Sequence, residues 1–419
     1  MSSIVNPSGP LVMLASADSV FTVTLAKHWL SRGMAVKVVT LGGRSEKLPA
    51  EVEVVDVRAC RSYLSKMLCR IVSPAFERFQ KYCVRRNLER YQSVTGKRQP
   101  DEWEWNVLPA VCHSRLLSTV ALAFRPRFVF GQEAFIYGPA TAYCSGVTRI
   151  LFPWGSDIYN TPESWWGAER LVRWSLRNVD LIVPSSSTAK SYLSERFGVD
   201  GERVEPVSWG VDLSTIAPLT SEDRRRICEQ NGIPDDVPIV FNARRFRRQW
   251  GSEVVLSSFL KVATLHPRCH FVLLSGPGGQ LEASWARDLI CASGLGDRFR
   301  LIDHEVDVGE YNSLASLADV FVSVMCRGDM RSSSVLQCAA AGAAPVIGHS
   351  PEYRYLAGLG FSAELVDSGD PTRIGDAVVR LLSSEAIRRN MAEKNLRYIV
   401  ANEDRVKLLD LMLEMCLGK

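Results

Sequence analysis

No apolar run in this 419-residue chain approaches the length of ~20 residues that a helix needs to span a bilayer, so no spanning helix is expected. Leu11 to Ala15 is apolar but short and lacks a basic leader, which makes it a buried strand rather than a signal peptide. The eleven cysteines include no Cys-x2-Cys pair, which argues against a zinc site and against a disulfide framework in a chain this large. The six histidines form no His-Glu-x2-His pattern, and Pro267 between His266 and His270 prevents a shared helical face. Low-complexity tracts and internal repeats are also missing. These absences lead us to expect no metal site, no cofactor and a cytoplasmic location.

What is present is an ordinary globular composition, 46% hydrophobic and 23% charged, with enough chain for two domains. The net charge of +4 is unevenly placed. Residues 58–98 hold eleven Lys/Arg against Glu77 and Glu89, so this stretch at +9 leaves the remainder at −5. The basic character is local.

Along the chain, short apolar strands alternate with helix-period segments. Leu11–Ala15, Ala35–Leu41, Val52–Val57, Phe128–Phe130, Arg149–Phe152, Leu181–Val183 and Val204–Val207 read as strands of a first α/β unit. Ile239–Asn242, His270–Ser275, Arg300–Ile302, Val320–Val324 and Pro345–Ile347 read as a second, followed by a long helical stretch from Thr372 to Leu417. The rhythm predicts an α/β fold of two Rossmann-like, doubly wound parallel sheets. In such sheets ligands bind beyond the carboxyl ends of the strands.

The segment Arg327 to Pro345 places Asp329 and Gln337 eight positions apart, with Ser332, Ser333 and Ser334 between them and an Ala-rich helix after them. A serine-rich helix start offers free N–H groups and a favourable dipole to an anion such as a phosphate. This segment resembles the Glu-x7-Glu signature of the family 4 retaining glycosyltransferases, here as Asp-x7-Gln. Further resemblance lies in Trp154-Gly-Ser-Asp157, in Arg170 to Pro218 with Trp209-Gly-Val-Asp212, and in Leu301 to Ser323, so it covers most of the chain outside residues 60–105. It implies the GT-B architecture: two Rossmann-like domains facing across a cleft, with a C-terminal helix crossing back to the first. The expected division is 1–213 for the acceptor side, 214–390 for the nucleotide-sugar side and 391–419 for the crossing helix.

Arg244, Arg245, Arg247 and Arg248 follow strand Ile239–Asn242, and guanidinium donors suit a departing diphosphate. The resemblance matches Arg245 to the family's Arg, while Trp250 stands at the usual Lys, so Arg247 or Arg248 must substitute. It also places Gly276 and Gly278 near the nucleotide, Glu305 and Val306 at the base, Gln337 at the ribose, and Asp329 at the transferred sugar. Family members often carry a His after the strand at 128–130; here Gly131-Gln-Glu133 stands instead. Glu133 and Asp157 are then the acidic groups expected to face the sugar or orient the acceptor.

The insertion near 58–105 shows two helical runs with Arg78, Lys81, Arg85 and Arg86 on a polar face, compatible with an anionic membrane surface or with a solvated face. No nucleic-acid recognition motif accompanies it, and none is expected to bind. The sequence thus predicts a glycosyltransferase moving a sugar with retention from a nucleotide-diphosphate sugar to a glycan, lipid-linked or small-molecule acceptor. A nucleotide-sugar epimerase and a weakly catalytic scaffold subunit are the alternatives.

Overall fold

The computed structural model describes residues 8–57, 114–164, 168–216, 219–244, 251–274, 280–324 and 331–418. The basic insertion lies outside the described residues. The chain divides into two compact units, Met1–Ser208 with Val406–Lys419, and Trp209–Arg405.

The first unit is built on β1 (Leu11–Leu14), β2 (Val36–Thr40), β3 (Glu53–Asp56), β4 (Phe128–Gln132), β5 (Thr148–Phe152) and β6 (Leu181–Ile182). All pairs are parallel, in the order β3-β2-β1-β4-β5-β6. Val-, Leu- and Phe-rich central strands are what a sheet covered on both faces requires. Trp29, fully buried on helix Val20–Ser31, meets the rings of Phe128 and Phe130 edge-on at 5.7 and 5.3 Å. Gly131 in β4 cannot be replaced without movement, because a Cβ there would lie 1.9 Å from the Thr141 hydroxyl.

The second unit contains β7 (Ile239–Asn242), β8 (His270–Leu274), β9 (Phe299–Ile302), β10 (Val320–Ser323), β11 (Ala344–Gly348) and β12 (Glu364–Val366). Their order is β12-β11-β10-β7-β8-β9, again all parallel. Numbered from its own first strand, this sheet has the same 3-2-1-4-5-6 order as the first. The order reverses between first and fourth strands, β1 and β4 in one unit, β7 and β10 in the other. In an open α/β sheet that reversal opens a crevice at the carboxyl ends.

Two expected elements differ. Val204–Val207 runs beside β6 through the amides of Glu205 and Val207, but only one bridge, Ile182–Val204, forms. Pro184 and Pro206 each lack the N–H that a continued ladder needs. The expected helical stretch from Thr372 to Leu417 consists of three helices, Pro371–Leu382, Glu385–Asn402 and Arg405–Gly418. Ser384 caps the second by accepting from the Ile387 amide. The expected crossing helix began at 391, whereas Met391 packs in the core of the second unit and Tyr398 and Ile399 in its other apolar cluster. Chain from 406 onward belongs with the first unit, where Asp410 accepts from Arg32 at 2.6 Å and pairs with His28 at 2.9 Å.

Candidate functional site

In the first unit, β1 leads through Ser16–Asp18 into the helix Val20–Ser31, whose N-cap Ser19 accepts from the Phe21 amide. Across the reversal, Thr22 donates to the side-chain oxygen of buried Gln132 at 3.1 Å, tying the helix start to the end of β4. The next residue, Glu133, has φ +76°, a left-handed backbone that is rare for a side chain of this size. It opens a π-helical turn, Glu133–Tyr137.

Glu133 and Asp157 come together here, but inside the protein, at 4% and 1% exposure. Expected to face a sugar or acceptor, both carboxylates instead hold backbone. Glu133 accepts from the amides of Phe135 and Ile136. Asp157 accepts from Ala134 at 2.6 Å and from Gly155 at 2.7 Å, pinning the turn after β5 to the turn after β4. Burial, then the charge of Asp157, holds the Glu133 carboxyl well above its ordinary range, against the pull of its backbone donors. Burial also lifts Asp157 to about 6, opposed by the amides of Ala134, Trp154 and Gly155. What the pair does in this arrangement is fix two loops at the sheet's reversal.

In the second unit, Arg244 lies just past β7 and donates to the Ser323 hydroxyl at the end of β10, at 2.9 Å. This contact bridges the reversal itself. Asn242, nearly buried, donates to the Val322 carbonyl at 2.8 Å and locks the same two strand ends. After β10 the chain enters helix Ser333–Ala340 with Ser332 at its N-cap. Ser332 and Ser334 bond each other through their hydroxyls at 2.8 Å, and the Ser332 side chain makes no capping bond to the helix start. Its first-turn N–H groups therefore retain their capacity for an anion. Tyr311 reaches the same place: burial first, then Cys338 at 3.6 Å, raise its hydroxyl well above the usual range, while a bond from Ser334 and the charge of Arg244 pull it back.

Gln337 sits farther along that helix, 8% exposed, with its amide nitrogen donating to Thr215 at 3.2 Å and to Asn312 at 3.1 Å. Glu305 is exposed and Val306 half-buried in the loop between β9 and helix Val308–Leu317. Ser332, Ser333, Ser334 and Gln337 are thus gathered on one helix at the carboxyl side of β10. Asp329, Arg245, Arg247, Arg248, Gly276, Gly278 and Trp250 lie outside the described residues. Among the described residues no group of three or more His, Cys, Asp or Glu side chains is placed to hold a metal ion. No helix among them is long and apolar enough to cross a membrane.

Sequence reasoning missed the side chains that anchor this site. Arg331, next to Ser332, forks onto Glu352 and Glu403, both buried. Their separations of 21 and 72 residues leave no local pattern to read.

Comparison with known proteins agrees with this fold. The family described as Glycosyltransferase Family 4 matches residues 19–215, and that described as Glycosyl transferases group 1 matches residues 223–397. A D-inositol 3-phosphate glycosyltransferase of Xylanimonas cellulosilytica is 27% identical over 231 residues, 54% of this chain and 53% of that protein. One of the same name from Nocardioides is 24% identical over 51% of this chain and 48% of its own length. The chain therefore matches about half the length of these curated relatives. Among solved structures, sucrose-phosphate synthase from Thermosynechococcus elongatus superposes with a TM-score of 0.72 at 14% identity, over 99% of this chain and 96% of that one. The Anabaena protein HepE in complex with UDP gives 0.69 at 12% identity, over 98% and 100%. With two sheets of matching order and family matches across both units, the chain belongs to the family 4-like glycosyltransferases of the GT-B fold.

Proposed function

We propose that this protein transfers a sugar from a nucleoside-diphosphate sugar to a hydroxyl of an acceptor, with retention of the anomeric configuration. The observation that carries the reading is the helix start Ser332–Ser334, where the N-cap Ser332 side chain makes no capping bond, with Arg244 at the reversal of the second sheet acting on the same Tyr311 that Ser334 bonds. Leaving-group departure places negative charge on the nucleoside diphosphate. A helix N-terminus and a guanidinium stabilise that charge with donors already oriented before reaction. Arg245, Arg247 and Arg248 extend the basic sequence and serve as further phosphate ligands in this proposal, with Gly276, Gly278, Glu305 and Val306 near the base. Gln337 contacts the ribose and Asp329 the transferred sugar.

Support for the donor class comes from neighbours of the same fold: Anabaena HepE is solved with UDP, with UDP and glucose, and with UDP-glucose. On the first unit, Glu133 and Asp157 are proposed as positioning groups rather than as residues that touch substrate, because both are buried against backbone amides. The resemblance to the retaining family implies a front-face path in which the acceptor attacks as the diphosphate leaves. The acceptor is a hydroxylated glycan, lipid-linked sugar or small polyol.

The test is incubation of the full chain with UDP-, GDP-, ADP- and dTDP-sugars and a panel of such acceptors, reading nucleotide release and the product anomer by NMR. Acceptor-dependent release with an α-linked product from an α-linked donor supports the proposal. An inverted product refutes retention, and no release with any pair, despite donor binding, favours the scaffold reading.

A further inference from the structure

The guanidinium of Arg331 is nearly enclosed, at 9% side-chain exposure, and every branch of it is engaged. Its Nε donates to Glu352 Oε1 at 2.8 Å and Nη2 meets the same carboxylate at 2.7 Å. Nη1 donates to Glu403 Oε1 at 2.8 Å, and the Tyr398 hydroxyl donates to that oxygen at 2.9 Å. Burial alone would lower the Arg331 pKa, but Glu403 and Glu352 more than offset it, so the group stays charged. The following amide is also held: Ser332 N–H donates to the Tyr353 hydroxyl at 3.1 Å. Glu352 and Tyr353 are consecutive on helix Pro351–Gly358. Glu403 follows helix Glu385–Asn402, and its carbonyl accepts from Val211 at 2.7 Å.

The peptide joining Arg331 to Ser332 is therefore held from two directions, immediately before the helix start assigned above to the diphosphate. We propose that Arg331 is a positioning residue for that start: its fork fixes where the amides of residues 333 and 334 point, without itself touching the ligand. The inference rests on the donor-site reading and deepens it. Well-packed apolar residues could fill such a volume with equal or greater stability, since burying an ion pair carries a large desolvation cost. A forked guanidinium adds fixed angles, and anion capture by N–H groups depends on angle as well as place.

The consequence is selective. Only ligands carrying phosphate use the helix start, so disturbing Arg331 should weaken a nucleoside diphosphate and spare the nucleoside. The experiment titrates wild type, Arg331→Met and Arg331→Lys with UDP and with uridine, by ligand-observed NMR and calorimetry, after circular dichroism has shown each variant folded. Arg331→Met is expected to lose about tenfold or more in UDP affinity while uridine stays within about twofold. Lysine, a point charge that cannot fork, should recover only part of the loss. Unchanged UDP affinity in both variants, or equal loss of UDP and uridine, would overturn the inference. If Arg331→Met does not fold, Arg331→Lys and Glu352→Gln decide by the same ratio. A wild type that binds neither UDP nor any other nucleoside diphosphate would instead overturn the donor reading, and this inference with it.

Discussion

Where the first sheet reverses, β4 runs into Glu133, and the two carboxylates gathered there, Glu133 and Asp157, meet backbone amides and each other. Where the second reverses, β10 is followed by Arg331, and the carboxylates gathered there, Glu352 and Glu403, meet a guanidinium. These four are the buried carboxylates among the described residues. In each unit the buried carboxylates thus act on the loop after the fourth strand of a 3-2-1-4-5-6 sheet, and Asp157, Glu352 and Glu403 reach it from later elements. The means differ. Amides alone leave the first pair prone to hold protons, while the second pair is bound by a buried guanidinium. The first unit should therefore respond to pH, and the second to loss of a partner.

The largest effect is expected in the second unit. Glu403→Ala leaves Arg331 buried with half its compensation and frees the Tyr398 hydroxyl, which should cost about 3–5 kcal/mol in urea unfolding. A smaller loss, about 1–3 kcal/mol, is expected from Gly131→Ala, where the new methyl collides with Thr141. That substitution strains the end of β4 without altering any charge, so it separates steric from electrostatic support of the first reversal.

The pH response comes next. Both carboxyls of the first pair have raised values in the folded protein, so the folded state binds more protons than the unfolded one. Their contribution is greatest below the unfolded value near 4 and is lost as pH rises through the folded value, about 6 for Asp157. Urea midpoints of wild type and Glu133→Gln, compared across this window, should converge as pH falls. Above it the variant should gain relative to wild type, less whatever the missing acceptor costs. A difference independent of pH would contradict the proton-holding account. The smallest effect is expected from Gln337→Glu. A carboxylate facing a ribose would strengthen donor binding by about 1 kcal/mol, read as a Kd for the nucleotide. Loss of the amide donor to Asn312 and Thr215 works against that gain.

Much of this fold can be read from composition and spacing. Strands such as Ile239–Asn242 and Val320–Ser323 are continuous apolar runs bounded by polar turns, and their burial on both faces follows directly. The serine-rich helix start was legible for a similar reason, because N-terminal chemistry is local. Less legible were the facts that depend on distant partners. Glu133 and Asp157 look like exposed acids after strands until Ala134, Gly155 and the strained backbone at Glu133 are seen to enclose them. Arg331 reads as one more polar residue of a loop until Glu352 and Glu403 arrive from helices far along the chain. Proline also spoke locally, at Pro184 and Pro206, but its effect on pairing required knowing which strand lay alongside.

The most direct test of the central claim, a nucleoside-diphosphate site at the second unit's reversal, is a thermal-shift comparison of wild type and Arg244→Ala against UDP, GDP, ADP, dTDP and CMP. A ligand at roughly 100 times its Kd should add about 2.7 kcal/mol of stability. The account predicts that one diphosphate raises the wild-type Tm and that Arg244→Ala abolishes most of the rise. Silence of the wild type across the panel, or an equal rise in the variant, would contradict it.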